Sequence, residues 1–381
     1  MLWYVALLLI VCLDFALEWL LNKFNVLKGQ SKWQTFLKLI TKYRIISVLA
    51  FVSISTLKAY SVGSDTYEYL NYLNLAKRDP ARWFNNPITN KFEFGFTFLN
   101  SLLAVNNAPF KILMLLISSF VAIVLVLFVN KVSSNKFMSF ILFITLGLFA
   151  QSLSAYRQVV AMALVLLAIS KLVDKKWIAA SLLILLGATF HISALLALVI
   201  VPLRFIKPKL WFVGICFAVV IVGSFAMPQL LKLLEILTPL DYYTKYFVVL
   251  NYYLMPSDIL NTLYSVALII VFTVLYFMKN RLKLEGKDKE IYDFYLLIFM
   301  IVPLFRIVGY VANMPQLLNR LSMYFFMVLI VLIPLFCKGL KHNKKFYVFV
   351  NIMVYVIAVG YMIYLYAIKN TCGVYPYVFG F

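Results

Sequence analysis

The sequence predicts an all-α polytopic membrane protein, and three observations carry that reading. Apolar runs of roughly 17 to 25 residues recur along the whole chain, the length that crosses a hydrocarbon core as a helix. They lack the period-two alternation of barrel strands. Of the 381 residues 64% are hydrophobic and only 13% charged, with a mean hydropathy of +0.95, which excludes an ordinary soluble globular domain. A formal net charge of +21 does not signal nucleic acid, because the basic residues sit between apolar runs, where they set orientation and meet membrane lipids.

Taken in order, the run from 1 to 21 has no basic leader and no small-residue cleavage site. Lys23, Lys28, Lys32, Lys38, Lys42 and Arg44 follow it, so it reads as a retained first span. Further spans are expected at 45 to 60, 110 to 130, 137 to 153, 157 to 173, 177 to 190, 192 to 206, 210 to 229, 259 to 279, 291 to 311, 321 to 337 and 346 to 368, about twelve in all. The stretch 93 to 107 is apolar but too short to span; it reads as a short re-entrant or interfacial helix inside an outer loop, 61 to 109. A second outer loop covers 230 to 258, and the chain 1 to 381 forms a single integral membrane domain.

Counting Lys and Arg between spans orients the chain. The segments 22 to 44, 131 to 136, 171 to 176, 204 to 209, 279 to 289 and 338 to 345 hold 23 of the 35, so their side is cytoplasmic and both termini lie outside. Both outer loops are rich in Tyr, Asn and Asp, a composition that suits sugar rings and equally an interfacial aromatic belt. Cys12, Cys216, Cys337 and Cys372 form no C-x-x-C pair, so neither a metal site nor a disulfide framework is expected. There is no glycine-rich phosphate loop, and no cofactor is implied.

Arg157 opens a membrane-length run. The chain continues about 17 residues to Asp174, Lys175 and Lys176 and about 15 back to His191, roughly 25 Å down and 23 Å up, so Arg157 and His191 return to one face. Arg306 and Arg320 also lie near outer ends of spans. A structural arginine snorkels or pairs with a carboxylate; three at one face suit a diphosphate, which a guanidinium grips through two parallel bonds. Imidazole is the side chain suited to proton transfer, so His191 is a candidate base or phosphate ligand, or a hydrogen-bonded structural histidine. Asp65 is a second candidate base, although Ser64, Asp65 and Thr66 followed by Glu68 also resemble a helix start. Glu93, like Asp65, is a candidate for general base or for binding sugar hydroxyls; Gln158 could add an amide donor to the phosphate or serve helix capping or packing; and His342, in a basic cytoplasmic loop, is given no role. Asp14 and Glu18, four apart in the first span, call for an interior cation such as Lys58, or a proton pathway.

An ordered set of motifs then resembles the EpsG family of bacterial Wzy-type exopolysaccharide and O-antigen polymerases. They are Gly63, Asp65 and Tyr69; Glu93, Gly95 and Phe96; Arg157, Gln158 and Ala161; Phe190, His191, Ser193 and Ala194; Asn319 and Arg320; and the closing Tyr375, Pro376 and Tyr377. The resemblance implies a metal-independent glycosyltransferase with a broad C-type architecture in a bacterial cytoplasmic membrane, its site facing the periplasm or exterior. It implies transfer of a growing glycan from undecaprenyl diphosphate to a lipid-linked repeat unit, with a flippase and a chain-length regulator as partners. Arg157, Arg306 and Arg320 would bind the diphosphate, His191, Asp65 and Arg157 would serve catalysis, and Gln158, Glu93 and Tyr69 would contact substrate. Three other readings stand beside it: a lipid-linked oligosaccharide flippase or transporter, a membrane acyltransferase, and a glycan ligase. A transporter calls for internal repeats and charge deep at the midplane, and here no repeat is visible.

Overall fold

The computed structural model describes residues 1–28, 31–80, 92–237, 259–311 and 314–380, and side chains for these except 226–237. The described residues are almost wholly helical: α1 (Leu2–Lys23), α2 (Lys32–Lys42), α3 (Ile45–Leu57), α4 (Thr66–Arg78), α5 (Phe94–Val105), α6 (Phe110–Val132), α7 (Lys136–Thr145), α8 (Leu148–Ser154), α9 (Tyr156–Val173), α10 (Trp177–Ala188), a 3-10 helix (Ile192–Val199), α11 (Ile200–Leu203), α12 (Leu210–Leu237), α13 (Ile259–Met278), α14 (Gly286–Val311), α15 (Pro315–Phe326), α16 (Leu329–Gly339) and α17 (Lys344–Ile363). The short apolar helix expected at 93 to 107 is α5. Most of the second outer loop, 238 to 258, lies outside the described residues, and α12 occupies its first part.

The polytopic helical architecture is matched, and the described residues account for part of the expected spans. Among the described residues six helices are long and apolar enough to cross a membrane, and eight if the bent pairs α7/α8 and α15/α16 each count as one. Ile45–Leu57, Trp177–Ala188 and Ile192–Leu203 are apolar but shorter than a full crossing, whereas α12, 28 residues long, opens with the apolar stretch Leu210–Phe225. Apolar composition marked where these segments lie; it could not give their helical length. In Ile192–Leu203 the chain compensates by stretching. A 3-10 helix rises about 2.0 Å per residue against about 1.5 Å for an α-helix, so these twelve residues reach roughly 22 Å. The segment ends where Arg204 Nε donates to the Leu172 carbonyl (2.9 Å), level with the end of α9.

Helix α9 is the centre of the bundle, packed against α6, α10 and α15 and buried on nearly every side. The segments assigned to the cytoplasmic face converge through ion pairs: Lys131 with Asp174 (2.7 Å), Lys287 with Asp174 (3.5 Å), Lys175 and Arg204 with Glu290 (3.4 and 3.2 Å), and Lys338 with Asp288 (2.6 Å). Asn130 Nδ2 ties the same face to the carbonyl of Lys42 (2.8 Å).

Helices α1 and α3 run antiparallel, and that register corrects the proposed partner of the acidic pair. Glu18 pairs with Arg44, and Asp14 Oδ2 accepts from Ser47 Oγ (2.5 Å). Lys58 ends the same α3, fourteen residues or about 21 Å from Arg44, so the register puts it at the opposite end of α1. There it is buried, donating to the Val62 carbonyl and to Thr66 Oγ1.

The C-terminal segment closes over this end. Ala59 N donates to the Val378 carbonyl (2.7 Å), Gly63 N to Gly373 (2.8 Å), Ser64 N to Cys372 (2.8 Å), and Tyr377 Oη to Ile54 (2.7 Å). Gly63 takes φ +95°, and a Cβ there would lie 2.5 Å from the Leu153 carbonyl oxygen. Gly63→Ala is therefore expected to destabilise the protein by at least about 2 kcal/mol, read as a lowered Tm in detergent or nanodiscs; an unchanged Tm would refute this account of the turn.

Candidate functional site

A cavity of about 410 Å³ lies where three helices are interrupted. Leu146 and Gly147 line it at the 54° bend between α7 and α8, and Met323 and Phe326 line it beside the 52° bend between α15 and α16. Tyr364 and Leu365 line it from a π-helical turn, Tyr364–Ile368, that ends α17. Gly147 sits at φ +83°, which glycine adopts without strain. Irregular backbone at membrane depth is tolerated where it lines such a space, because freed backbone groups then have partners other than lipid.

Two of the three arginines meet here. Arg306, on α14, is 5% exposed; its guanidinium bonds the Asn319 side chain and lies 4.7 Å over the Tyr264 ring. Its Nε has no protein partner, and no carboxylate pairs with Arg306 among the described residues. A buried guanidinium without a counter-charge is costly unless an anion supplies one. Arg320, on α15, lines the same cavity, and so do Asp65 and Lys369. Lys369 Nζ reaches Asn261 Oδ1 (2.6 Å). Asp65 precedes α4, yet its side chain caps no backbone N–H; Ser64 Oγ donates to it (2.9 Å) and Ser154 Oγ accepts its backbone N–H (3.3 Å).

Arg157 does not line this cavity. It forms a second cluster, in which Glu93, at the start of α5, receives Arg157 on Oε2 (2.5 Å) and both His191 Nδ1 and the Ile192 N–H on Oε1 (3.1 Å each). Arg157 also stacks 4.0 Å over Phe92. The hairpin of α9 and α10 thus returns His191 to the level of Arg157, as helical rise predicts. Gly95 makes the approach possible: its N–H bonds the Thr189 carbonyl at 2.6 Å, and a Cβ there would sit 2.6 Å from Thr189 Oγ1. Burial alone would raise the Glu93 carboxyl, but the His191 bond, the Arg157 charge and the Ile192 N–H outweigh it and hold it down to about 2. Glu93 is therefore an anion at neutral pH that orients His191 and neutralises Arg157.

Gln158 joins the two places. Its Nε2 donates to the Arg320 carbonyl (2.9 Å), and its Oε1 accepts from Gln151 Nε2 (3.0 Å), a residue that lines the cavity. Tyr69 is buried and stacks on Tyr156 (5.1 Å between centroids), so it packs behind the cluster and does not line the cavity. Sequence reasoning had given no role to Lys369, Gln151 or the stacked Tyr264 and Tyr361 (5.4 Å). Only the position of Lys369, a base just past the last apolar run, offered a signal.

A polytopic helical membrane protein with a cationic cavity coupled to a half-buried Glu–Arg–His cluster is the class that fold and site define. The chain belongs to the EpsG family, whose model matches residues 41–379 and so takes in both clusters. That family places it among the glycosyltransferase-like polysaccharide polymerases of exopolysaccharide biosynthesis. No curated protein and no solved structure matches the chain.

The depressed Glu93 carboxyl fixes a sign for pH dependence. Its stabilising contribution is present above the ordinary value of 4.5 and is lost as pH falls toward about 2. Acid unfolding of the wild type should show this loss and Glu93→Gln should lack it. At neutral pH Glu93→Gln should cost on the order of 3 kcal/mol, because Arg157 loses its counter-charge; a variant with wild-type stability at neutral pH would remove Glu93 as the anchor.

Proposed function

We propose that this protein polymerises a polysaccharide on the outer face of a bacterial cytoplasmic membrane, transferring the growing glycan from undecaprenyl diphosphate to a lipid-linked repeat unit. The observation that carries this reading is the cavity that holds Arg306 with an unpartnered buried Nε, together with Arg320, Lys369 and Asp65. Guanidinium groups match the paired oxygens of a diphosphate, and in a confined site they act strongly on charge that develops as the leaving group departs. Arg306 and Arg320 bind the donor diphosphate, and Lys369 adds a third positive charge.

In the proposed step an acceptor sugar hydroxyl attacks the anomeric carbon of the donor. The carbon–oxygen bond to the diphosphate breaks, its electron pair leaves with the diphosphate, and Asp65 takes the hydroxyl proton. Attack opposite the leaving group inverts the anomeric centre. The charge is supplied by side chains, which is the sense in which the reaction is metal-independent. Arg157, expected as a diphosphate ligand, is placed here as a positioning residue: it fixes Glu93, and Gln158 beside it braces the Arg320 backbone. Glu93 holds His191 by Nδ1, which leaves Nε2 to accept a proton, so His191 remains the second candidate base. A flippase supplies the substrate and a chain-length regulator limits the product.

Reconstitution with a synthetic undecaprenyl-diphosphate repeat unit, without nucleotide, should give a ladder of products. Lipid moved across the bilayer but uncut would establish a flippase, an added acyl mass an acyltransferase, and transfer to a different lipid acceptor a ligase; each overturns the proposal. Arg306→Ala and Arg320→Ala should lower turnover by about 100-fold or more while the protein still inserts. Asp65→Asn should lower it by about 100- to 10,000-fold. Wild-type ladders from both arginine variants would sink the diphosphate assignment, and normal turnover by Asp65→Asn with loss in His191→Ala would transfer the base role to His191.

A further inference from the structure

Helix α2 carries an amphipathic face of which the described chain leaves Trp33 and Phe36 exposed and Leu37 and Ile40 half-buried. Trp33, Phe36, Leu37 and Ile40 fall at i, i+3, i+4 and i+7, one stripe of a helix, while Gln34, Lys38 and Lys42 run down the opposite side at i, i+4 and i+8. The helix is deliberately started: Ser31 Oγ accepts from Gln34 N (3.2 Å) and Gln34 Oε1 accepts from Ser31 N (3.1 Å), a complete capping box. Yet it packs little, since Thr41 is its one buried residue. Trp33 is 66% and Phe36 49% exposed, with their rings 5.5 Å apart.

Its surroundings identify what covers it. The helix hangs between two apolar helices whose adjacent residues, Trp19, Phe24, Ile46 and Leu49, are themselves exposed and apolar, so the stripe continues a lipid-facing surface. From Trp19 to Arg44 there are five lysines and no Asp or Glu, and Arg44 is already engaged by Glu18. Lys23 lies 5.0 Å over the Trp19 ring and Lys42 lies 5.1 Å over the Tyr43 ring, aromatic and ammonium groups side by side as at a headgroup boundary. Short tethers at both ends, to α1 and α3, keep the helix at the membrane surface, where an apolar stripe enters the acyl boundary and lysines meet headgroups. We propose that α2 is an in-plane anchor that binds acidic phospholipid headgroups, on the face where the inter-helix ion pairs converge. The proposal is independent of the reaction assigned to the cavity.

The test uses the full-length protein in nanodiscs of phosphatidylcholine alone and of phosphatidylcholine with phosphatidylglycerol, reading amide hydrogen exchange over residues 32–43. Exchange should be slower in the acidic discs, and added salt should remove the difference. The combined change Lys32→Gln, Lys38→Gln and Lys42→Gln should equalise the two lipids, with exchange in α6 and α9 unchanged as the control for folding. Trp33→Gln should speed exchange in both lipids. Equal exchange of the wild type in the two lipids, a comparison that needs no variant, would overturn the proposal. So would protection that rises with protein concentration, since a second copy would then be what covers the stripe.

Discussion

The Glu93 carboxylate is bonded by Arg157, by His191 and by the N–H of Ile192, and each partner belongs to a different element: α9, the turn after α10, and the 3-10 helix. Arg157 is half-buried and costly to hold there alone, and the chain meets that cost with one acid whose two oxygens serve three donors. The contact of α5 with the end of α10, the return of the α9–α10 hairpin and the orientation of His191 all follow from it. Gly95 lets the backbones close to the separation this requires. Because its carboxyl is held down to about 2, Glu93 stays ionised across physiological pH.

The cavity obeys the opposite rule. Arg306 is more deeply buried, but the protein gives it an amide and an aromatic face and withholds a carboxylate among the described residues. One guanidinium is neutralised and therefore fixes structure; the other keeps an unbalanced charge and therefore favours an anionic ligand. The two are coupled by a short path: Arg157 adjoins Gln158, which bonds the Arg320 backbone and Gln151 on the cavity wall.

What the sequence made legible follows from regular geometry. Helical rise alone placed Arg157 and His191 at one level, and charge between apolar runs grouped the segments that the ion pairs of Asp174, Glu290 and Asp288 now join. Departures from regular geometry were not legible. Nothing in ISALLALV distinguishes a 3-10 helix from an α-helix, and the bend between α15 and α16 falls at Met327 and Val328, with no glycine or proline at the break itself and Pro334 only six residues further on. Lys58 was misjudged as a partner for Asp14 and Glu18 because composition supplies a cation but not a register. Arg157 was grouped with Arg306 and Arg320 because position along a span does not say which side of the helix faces a cavity.

The hydrogen bonds from Gly63 and Ser64 to Gly373 and Cys372 have a consequence for biogenesis. The wall of the cavity is assembled from residues near 65, 151, 306, 320 and 372, so it draws on the chain from its first fifth to nearly its last residues. While the ribosome is still feeding helices to the membrane, Asp65 stands beside a place that the segment around Cys372 later occupies. The wall of the cavity is thus joined only after the segment around Cys372 has been made, long after the helices that carry Asp65 and Gln151.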